Sequence, residues 1–462
     1  MTHSSTDPIV ADVTTALGGP PGTHASPVRR RTAVLLCLAV VTLAMALGAA
    51  SRTECASGAW WQENRQFANL CYSDLPHEYV RLGLAEQVAP LDTADGRWSQ
   101  PGVSTLTAVT AYAVARASQA AFGVAERGDP DPLPSAADPD VRREAVRHTA
   151  AAAVVLTLAA LLATAALAAT HPRRPWDAVA FAAAPVLVLS GLIGWDLLAV
   201  ACVSGAMWAW SRQRPLPAGA LIGVGAGFAA WPLALLVAIV LLAVRAGRMG
   251  ESLPVVAGAL VAWLGISVPA YVWRPDGWLS YWDRKLDAAP GLGSLWRVPG
   301  ALGLRADATL ANQIQLLGWV LVLALGVWVA VTAPRRPRVP QLALLVLVGA
   351  LLVSKSVPVQ ASLWVLPFAV LARPRWRDLL IWQACEVFYL LAAWWHLGGY
   401  TGASGGGDDA IYPFAVLVRT AGLVWLAAIV LRDVRWPWHD PVRGDGLEDD
   451  PAGGALAEPA SR

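Results

Sequence analysis

The sequence predicts an all-α integral membrane protein with about twelve transmembrane helices. Hydrophobic residues make up 56% of the 462 residues and charged residues only 15%, a composition too apolar for an ordinary water-soluble domain. The apolar residues are also clustered in long runs almost free of charge, such as 150–170, 217–244 and 341–353. These runs are rich in Ala, Leu and Val and do not alternate with polar residues, so helices rather than barrel strands are expected.

The N-terminal region sets the predicted orientation. Residues 1–28 are rich in Pro, Gly, Ser and Thr, which predicts a disordered cytoplasmic tail. Arg29, Arg30 and Arg31 then precede the apolar run 32–50. Because short basic segments stay on the cytoplasmic side, the first helix is predicted to begin inside. The run is longer than the apolar part of a typical signal peptide, so an uncleaved anchor is favoured.

Basic loops determine the remaining crossings, because an even number of helices must separate two loops on the same side. The loops predicted inside lie at 171–175, 211–215, 245–249, 334–338, 372–377 and from Arg432 onward. Helices that satisfy this requirement are expected at about 148–170, 176–193, 195–211, 253–272, 316–333, 340–353, 360–372, 377–396 and 411–431. The run 216–245 joins two inside loops and is interpreted as two short helices that turn near Trp231-Pro232.

This topology defines the domain organisation. A membrane region over 29–440 is followed by a disordered tail, 441–462, so both termini are predicted in the cytoplasm of a multi-pass plasma-membrane protein. Two large loops are predicted outside, at 51–147 and 273–315. The segment 103–122 is apolar, but a crossing there would place basic loops outside, so it is predicted to be an interfacial helix of the first loop.

Two cysteines fall on the predicted outer, oxidising side. Cys55 and Cys71 are therefore expected to form a disulfide, with two unpaired thiols as the alternative. No spacing indicates a zinc site, and no cofactor is predicted, although a divalent metal is left open. The net charge of +2, without basic stretches interleaved with aromatic residues, argues against a nucleic-acid partner.

Three charged residues stand where the predicted spans meet the outer surface. Asp74, partly desolvated beside the disulfide, has the setting of a general base, and an N-cap of the following helix is the equally weighted alternative. Asp196 lies at the tip of a tight hairpin, where ionisable groups are costly, and again capping competes with function. Lys355 is placed to meet a lipid phosphate, or to serve as an anchor that extends to the surface.

Aromatic residues are frequent in the two large outer loops. Tyr72, Tyr79 and Trp282 are candidates for a platform on which a sugar stacks, since aromatic faces pack on apolar sugar faces. The competing interpretation is an interfacial belt, because Trp and Tyr are enriched at membrane surfaces.

Four segments together resemble actinobacterial members of glycosyltransferase family 87. They are Cys71-Tyr-Ser-Asp-Leu-Pro76, Trp195-Asp196-Leu-Leu-Ala-Val200 after Pro185, Ala372-Arg-Pro-Arg-Trp-Arg-Asp378 and Trp382-Gln-Ala-Cys-Glu-Val-Phe-Tyr389. The resemblance extends over about 30–440 and is to the polyprenyl-phosphate-mannose-dependent mannosyltransferases of the multi-spanning GT-C class.

The resemblance implies an inverting sugar transfer, most simply of mannose, on the outer side of the membrane. A polyprenyl-phosphate sugar would be the donor, and a glycolipid or cell-envelope glycan the acceptor. Asp74 would be the base. Lys355 and Gln360 occupy the place of an Asn-Lys-X-Tyr-Ser-Pro-Gln pattern and would contact the donor phosphate or sugar, together with Trp195 and Asp196.

The sequence also departs from the family pattern at three places. Gly194 precedes Trp195 where relatives carry Asn, the turn reads Ala229-Ala230-Trp231-Pro232 where they carry Lys-X-Tyr-Pro, and Gln100 begins a stretch that is Tyr-Pro-Val-Leu-Thr in relatives. A diverged or inactive partner in envelope assembly is therefore one alternative function. A lipid or solute transporter is the other, although few charges lie inside the spans and Glu386 is the main exception.

Overall fold

The chain is helical throughout its described part. The computed structural model describes residues 9, 30–62, 64–93, 102–124, 138–301, 303, 306–401, 410–443 and 450–457, and no β-strand occurs among them. The tail predicted at 1–28 lies outside the described residues except for Ile9. Of the tail predicted at 441–462, residues 444–449 and 458–462 also lie outside them.

The first half of the chain contains a long anchor helix, a set of short helices and the helices that follow them. They are α1 (Arg30–Ala50), α2 (Thr53–Ala56), α3 (Arg65–Ala68), α4 (Asp74–Arg81), α5 (Thr105–Phe122), α6 (Pro139–Thr170), α7 (Val179–Ala182), α8 (Pro185–Ser190), α9 (Asp196–Ser211), α10 (Pro215–Phe228) and α11 (Leu233–Arg245). The second half contains α12 (Leu253–Trp273), α13 (Pro275–Asp287), α14 (Arg297–Ala301), α15 (Ala308–Thr332), α16 (Val339–Val353), α17 (Ala361–Ala372), α18 (Trp376–Leu397) and α19 (Ile411–Arg435).

Several helices are suited to a bilayer by length and composition. In the described part of the chain, five helical segments are long and apolar enough to cross a membrane: Arg30–Ala56, Pro139–Thr170, Met249–Trp273, Ala308–Thr332 and Ile411–Arg435. The helices α9, α10, α11, α16 and α17 are also apolar but shorter than the roughly 20 residues that one crossing needs. The total of about twelve crossings therefore stays a prediction.

Two predicted boundaries can be compared with the helices directly. The run 216–245 breaks between Phe228 and Leu233, at the predicted turn. The single helix expected over 176–193 is wrong, because a 3₁₀ turn, α7 and α8 divide this stretch. The break falls at Pro185, which has no backbone N–H to donate and begins α8. The chain therefore approaches Gly194 through short, separately oriented helices.

Small residues allow the closest helix contact. A Cβ built on Gly219 or Gly223 of α10 would collide with the backbone carbonyls of Val255 and Ala259 in α12. Glycine is therefore required where the two helices cross, as is common between membrane helices. Helix α9 packs against α10 on one side of this pair and also against α6. Helices α18 and α19 pack against each other.

The basic loops predicted on one side of the membrane meet at one end of the bundle. The guanidinium of Arg338 is fully buried and pairs with Asp440 at 2.8 Å, while donating to the carbonyls of Leu371 and Ala372. Arg174 donates to the carbonyl of Pro441 at 3.1 Å. A buried ion pair must be completely hydrogen-bonded to be tolerated, and these contacts fulfil that requirement.

The C-terminal segment belongs to the same end. Asp450 accepts a hydrogen bond from the backbone of Val339, and Leu456 is almost completely buried. Gly454 lies so close to the backbone of Trp210 that a Cβ would not fit. The predicted disorder over 441–462 therefore does not hold for residues 450–457, because small and apolar side chains fit against the end of α9.

Candidate active site

Asp74 begins helix α4, but it does not cap that helix. Ser73 holds the N-cap position, has extended backbone geometry, and its hydroxyl accepts from the amide of Leu75 at 3.3 Å. The capping interpretation of Asp74 is therefore wrong, because Ser73 already performs that role. The amide of Asp74 donates to the carbonyl of Ile193 at 2.8 Å, which fixes the start of α4 against the chain just before Gly194.

The Asp74 carboxylate is partly buried, and two side chains from different segments bond to it. Its Oδ1 accepts from the hydroxyl of Tyr72 at 2.6 Å, and its Oδ2 accepts from the side-chain amide of Gln360 at 3.1 Å. Burial raises the pKa of Asp74, and the hydrogen bonds from Tyr72 and Gln360 act in the opposite direction. A carboxylate with a raised pKa and fixed orientation has the properties of a general base.

Gly194 lies at the centre of the polar groups. A Cβ built on it would lie 3.3 Å from Asp196 Oδ2, 3.5 Å from Asp74 Oδ2 and 3.6 Å from Gln360 Nε2. Two carboxylates and an amide therefore converge around one residue without a side chain. We call Asp74, Gly194, Asp196 and Gln360 the Gly194 cluster.

Asp196 enters this cluster from the first turn of α9. The N-cap position belongs to Trp195, whose side chain makes no capping hydrogen bond, and Asp196 is the first residue of the helix rather than its N-cap. Its Oδ1 instead accepts from the indole of Trp364 at 2.7 Å. The Trp364 ring stacks on that of Trp231, with the two planes at 9°. Asp196 is thus oriented by an aromatic pair from the turn before α11 and from α17.

Trp195 is buried next to the Gly194 cluster and does not line an open surface. It is 4% exposed, and its indole nitrogen donates to Glu78 Oε2 at 2.8 Å. Glu78 is also buried, one turn after Asp74 in α4. Burial raises the pKa of Glu78 to about 7, and the neighbouring charge of Asp74 acts in the same direction.

The loop between α16 and α17, which carries Gln360, is held by a buried cation. Arg419 of α19 donates to the carbonyls of Val357 and Pro358 at 2.8 and 2.9 Å, and pairs with Glu386 at 2.9 Å. The carboxylate of Glu386 also accepts from the indole of Trp382. The intramembrane charge noted in the sequence is therefore paired, and its partner fixes the loop that brings Gln360 to Asp74.

A second loop adds to this fixation. The amide of Gly291 donates to the carbonyl of Lys355 at 2.7 Å, and the amide of Val357 donates to that of Leu292 at 3.1 Å. The segment between α13 and α14 therefore pairs through its backbone with the loop before α17. Their conformations depend on each other.

Lys355 itself is not open to the surroundings. Its side chain is 6% exposed, and its ammonium donates to Asn312 Oδ1 at 2.6 Å and to the carbonyl of Leu286 at 3.1 Å. Its backbone amide donates to Gln315. These contacts join the end of α13 to the start of α15.

The three predicted platform residues differ in their surroundings. Tyr79 is fully buried and bonded to Glu144 at 2.9 Å, so the prediction that it stacks on a sugar is wrong in this structure. Tyr72 is partly buried among Phe67, His77 and Trp394, with its ring stacked on Phe67. Trp282 is 39% exposed on α13, in edge contact with Tyr281 and beside Trp278.

A disulfide holds the segment before Asp74. Cys55 and Cys71 are bonded with their Cα atoms 5.8 Å apart. The indole of Trp60 donates to the carbonyl of Cys71 at 3.0 Å, which ties the closed loop to the residue before Tyr72. Among the described residues, no group of three or more His, Cys, Asp or Glu side chains is arranged to hold a metal ion.

Two residues that contact the site, Glu78 and Trp364, were not predicted from the sequence. Glu78 follows Asp74 by four positions, so helical periodicity places both on one face of α4. Trp364 has the same spacing from Gln360, but within an apolar helix it is indistinguishable from a lipid-facing tryptophan. Its partner Asp196 becomes evident only from the fold.

The described fold and site define a multi-helical membrane protein with a paired-carboxylate site at one end of its bundle. The chain is similar to glycosyltransferase family 87, whose model matches residues 145–354, a little under half of the sequence. The matched region includes Gly194 and Asp196 but ends before Lys355, and it contains neither Asp74 nor Gln360. No curated protein matches the chain. The match and the apolar helices together indicate a membrane glycosyltransferase.

Proposed function

We propose that the chain transfers a sugar, most simply mannose, from a polyprenyl-phosphate donor to a glycolipid or envelope glycan on the outer side of the membrane. The observation that supports this most directly is the convergence of Asp74, Asp196 and Gln360 around Gly194. The similarity to glycosyltransferase family 87 over 145–354 supports the class of reaction.

In the proposed reaction Asp74 is the base. The acceptor hydroxyl attacks the anomeric carbon of the donor sugar from the side opposite the phosphate, and its proton passes to the Asp74 carboxylate. The new bond joins the acceptor oxygen to the anomeric carbon, and the bond from that carbon to the phosphate oxygen breaks. The electron pair leaves with the polyprenyl phosphate, so the transfer inverts the anomeric configuration.

The other side chains have supporting roles in this proposal. Gln360 orients Asp74 by donating a hydrogen bond to one of its carboxylate oxygens. Asp196, which Trp364 orients, accepts hydrogen bonds from sugar hydroxyls. The exposed Trp282 of α13, with Tyr281 beside it, provides the stacking surface. The phosphate of the donor requires a cation at the same end of the bundle, where Lys355 was predicted.

The experiment that tests this function measures transfer of radiolabelled mannose from polyprenyl-phosphate-mannose in membranes containing the protein. Asp74→Asn keeps the size of the side chain but removes the base, so a loss of about 100-fold or more is expected. Asp283→Asn is the matched control, because Asp283 is an exposed aspartate of α13. If wild-type membranes transfer no sugar from any polyprenyl-phosphate donor, the result would favour an inactive partner in envelope assembly. If Asp74→Asn is as active as the wild type, Asp74 is not the base.

Transport is the second function considered, and the buried charges argue against it. Arg419 and Glu386 pair with each other and hold two loop carbonyls, so they are committed to the structure rather than to a passage for ions. Uptake of label without a glycosylated product in the same assay would reverse this conclusion.

A further inference from the structure

The last turn of α13 brings two lysines together. The carbonyl of Leu286 accepts from Lys355 Nζ at 3.1 Å and from Asn312 Nδ2 at 2.8 Å. Lys285 is the residue before Leu286, so the two lysines approach the same helix end from different segments. That helix end is also where carbonyls lack intrahelical partners and attract cations.

The two lysines differ in what they are free to bind. Lys355 is 6% exposed and already donates to Asn312 and to Leu286. Lys285 is exposed. Within the described chain its ammonium makes one direct contact, with the ring of Tyr281, whose centroid lies 5.7 Å from Nζ. No carboxylate of the described residues forms an ion pair with Lys285. An ammonium with three donors is therefore available there.

Electrostatic interactions connect Lys285 with the Gly194 cluster. Although the Lys285 side chain is exposed, the protein atoms around it lower the pKa of Lys285, and the negative charge of Asp196 acts in the opposite direction. Burial lowers the pKa of Lys355, the charge of Lys285 acts in the same direction, and the charge of Asp287 opposes both. The charge of Lys285 therefore interacts with the charges of both Asp196 and Lys355. An anion between the lysines would relieve their mutual repulsion.

The position of α13 suits a lipid-linked anion. The helix packs against α12 and α15, and both of these helices expose long apolar faces. It carries the exposed Trp282 and the half-buried Trp278, and tryptophan favours the boundary between lipid and water. A phosphate at Lys285 would therefore lie near headgroup depth while its hydrocarbon chain remained in the bilayer.

We propose that Lys285 binds the phosphate of the prenyl-phosphate-linked donor, and that Lys355 is a positioning residue that holds the end of α13. The inference rests on the proposed function, since it specifies the cation of that same site. It replaces the sequence-based expectation that Lys355 contacts the phosphate, because the ammonium of Lys355 is already bonded within the protein.

The test measures binding separately from catalysis. The full-length protein in detergent is titrated with farnesyl phosphate and with farnesol, and tryptophan fluorescence reports binding, since α13 carries Trp278 and Trp282. Lys285→Gln, Lys285→Arg and Arg284→Gln are compared, the last being the adjacent cation of the same helix. Lys285→Gln is expected to weaken farnesyl phosphate binding about tenfold, equivalent to about 1.4 kcal/mol, and to leave farnesol binding unchanged.

Each outcome is informative. Retained affinity in Lys285→Arg and Arg284→Gln, with the loss confined to Lys285→Gln, supports the inference. Unchanged affinity in Lys285→Gln would overturn it, as would a wild-type protein that does not distinguish farnesyl phosphate from farnesol. The sugar-transfer assay judges the proposed function independently. An active enzyme whose donor KM does not change in Lys285→Gln would refute the Lys285 site and leave the transferase standing.

Discussion

The side-chain amide of Gln360 donates to the carboxylate of Asp74 at 3.1 Å, although 286 positions separate the two residues in the chain. This contact uses one oxygen of the carboxylate, and the Tyr72 hydroxyl uses the other. An ionised carboxylate has about four acceptor positions, so both bonds leave capacity for an incoming hydroxyl. Asp74 can therefore stay fixed in orientation while it accepts a proton.

The first prediction concerns the space around Gly194. Gly194→Ala introduces a Cβ 3.3 Å from Asp196 Oδ2 and 3.5 Å from Asp74 Oδ2, but no backbone atom is among its nearest neighbours. We expect the fold to tolerate the methyl group, while the substrate loses space between the carboxylates and transfer falls at least about tenfold. The melting temperature and the transfer rate are measured on the same preparation.

A matched control separates this effect from that of any added methyl group. In Gly265→Ala of α12 the new Cβ has no atom of the described residues within 4 Å, so both quantities should match the wild type. Full activity in Gly194→Ala would show that the space between Asp74 and Asp196 is not where the substrate reacts.

The second prediction concerns the cation that holds the Gln360 loop. Arg419→Lys cannot maintain the bonds to Glu386, Val357 and Pro358 together, because Lys lacks the planar fork of the guanidinium. Breaking a buried pair costs about 3–5 kcal/mol when one partner is removed, and a retained cation should reduce that cost. We expect a lower melting temperature and, because Gln360 loses its fixed place, a larger fall in kcat than stability alone explains.

The comparison variant is Arg435→Lys, at the end of the same helix, where the guanidinium lies over the Trp328 ring. The kcat at a temperature well below unfolding is the decisive measurement for both proteins. If Arg419→Lys unfolds earlier but retains the wild-type kcat at that temperature, the pair stabilises the fold without positioning Gln360.

The sequence predicts which segments share an end of the bundle, but it does not predict which of them touch. Hydropathy and basic loops report one coordinate, the depth in the membrane, and from it the sequence predicts a common side for Asp74, Asp196 and Gln360. The structure brings these three side chains together around Gly194. The lateral arrangement of the helices depends on close packing such as that at Gly219, which no local pattern specifies.

The errors at individual residues follow from the same limit. Tyr79 and Trp195 belong to types that favour interfaces, yet both are buried with polar partners supplied by distant segments. Lys355 was expected to face a lipid, but its ammonium donates a hydrogen bond to Asn312 of α15. In each case the deciding partner lies far away in the chain and is invisible to a pattern within one segment.

The last prediction concerns the pH dependence of stability through Glu78. Its pKa rises from an ordinary value of 4.5 to about 7 in the fold, first because of burial and then because of the charge of Asp74. A raised pKa in the fold means that the folded protein holds this proton more tightly than the unfolded chain, so the contribution of Glu78 to stability is fully present below pH 4.5 and is lost as the pH rises through about 7. At about 1.4 kcal/mol per pKa unit, the loss amounts to about 3 kcal/mol.

Glu78→Gln removes this dependence while its side-chain oxygen still accepts from Trp195, so its melting temperature relative to wild type should increase between pH 5 and pH 7.5. Glu54→Gln, an exposed glutamate of the same loop, serves as the control and should follow the wild type. Parallel curves for Glu78→Gln and wild type would mean that Glu78 is already ionised in the fold at pH 5.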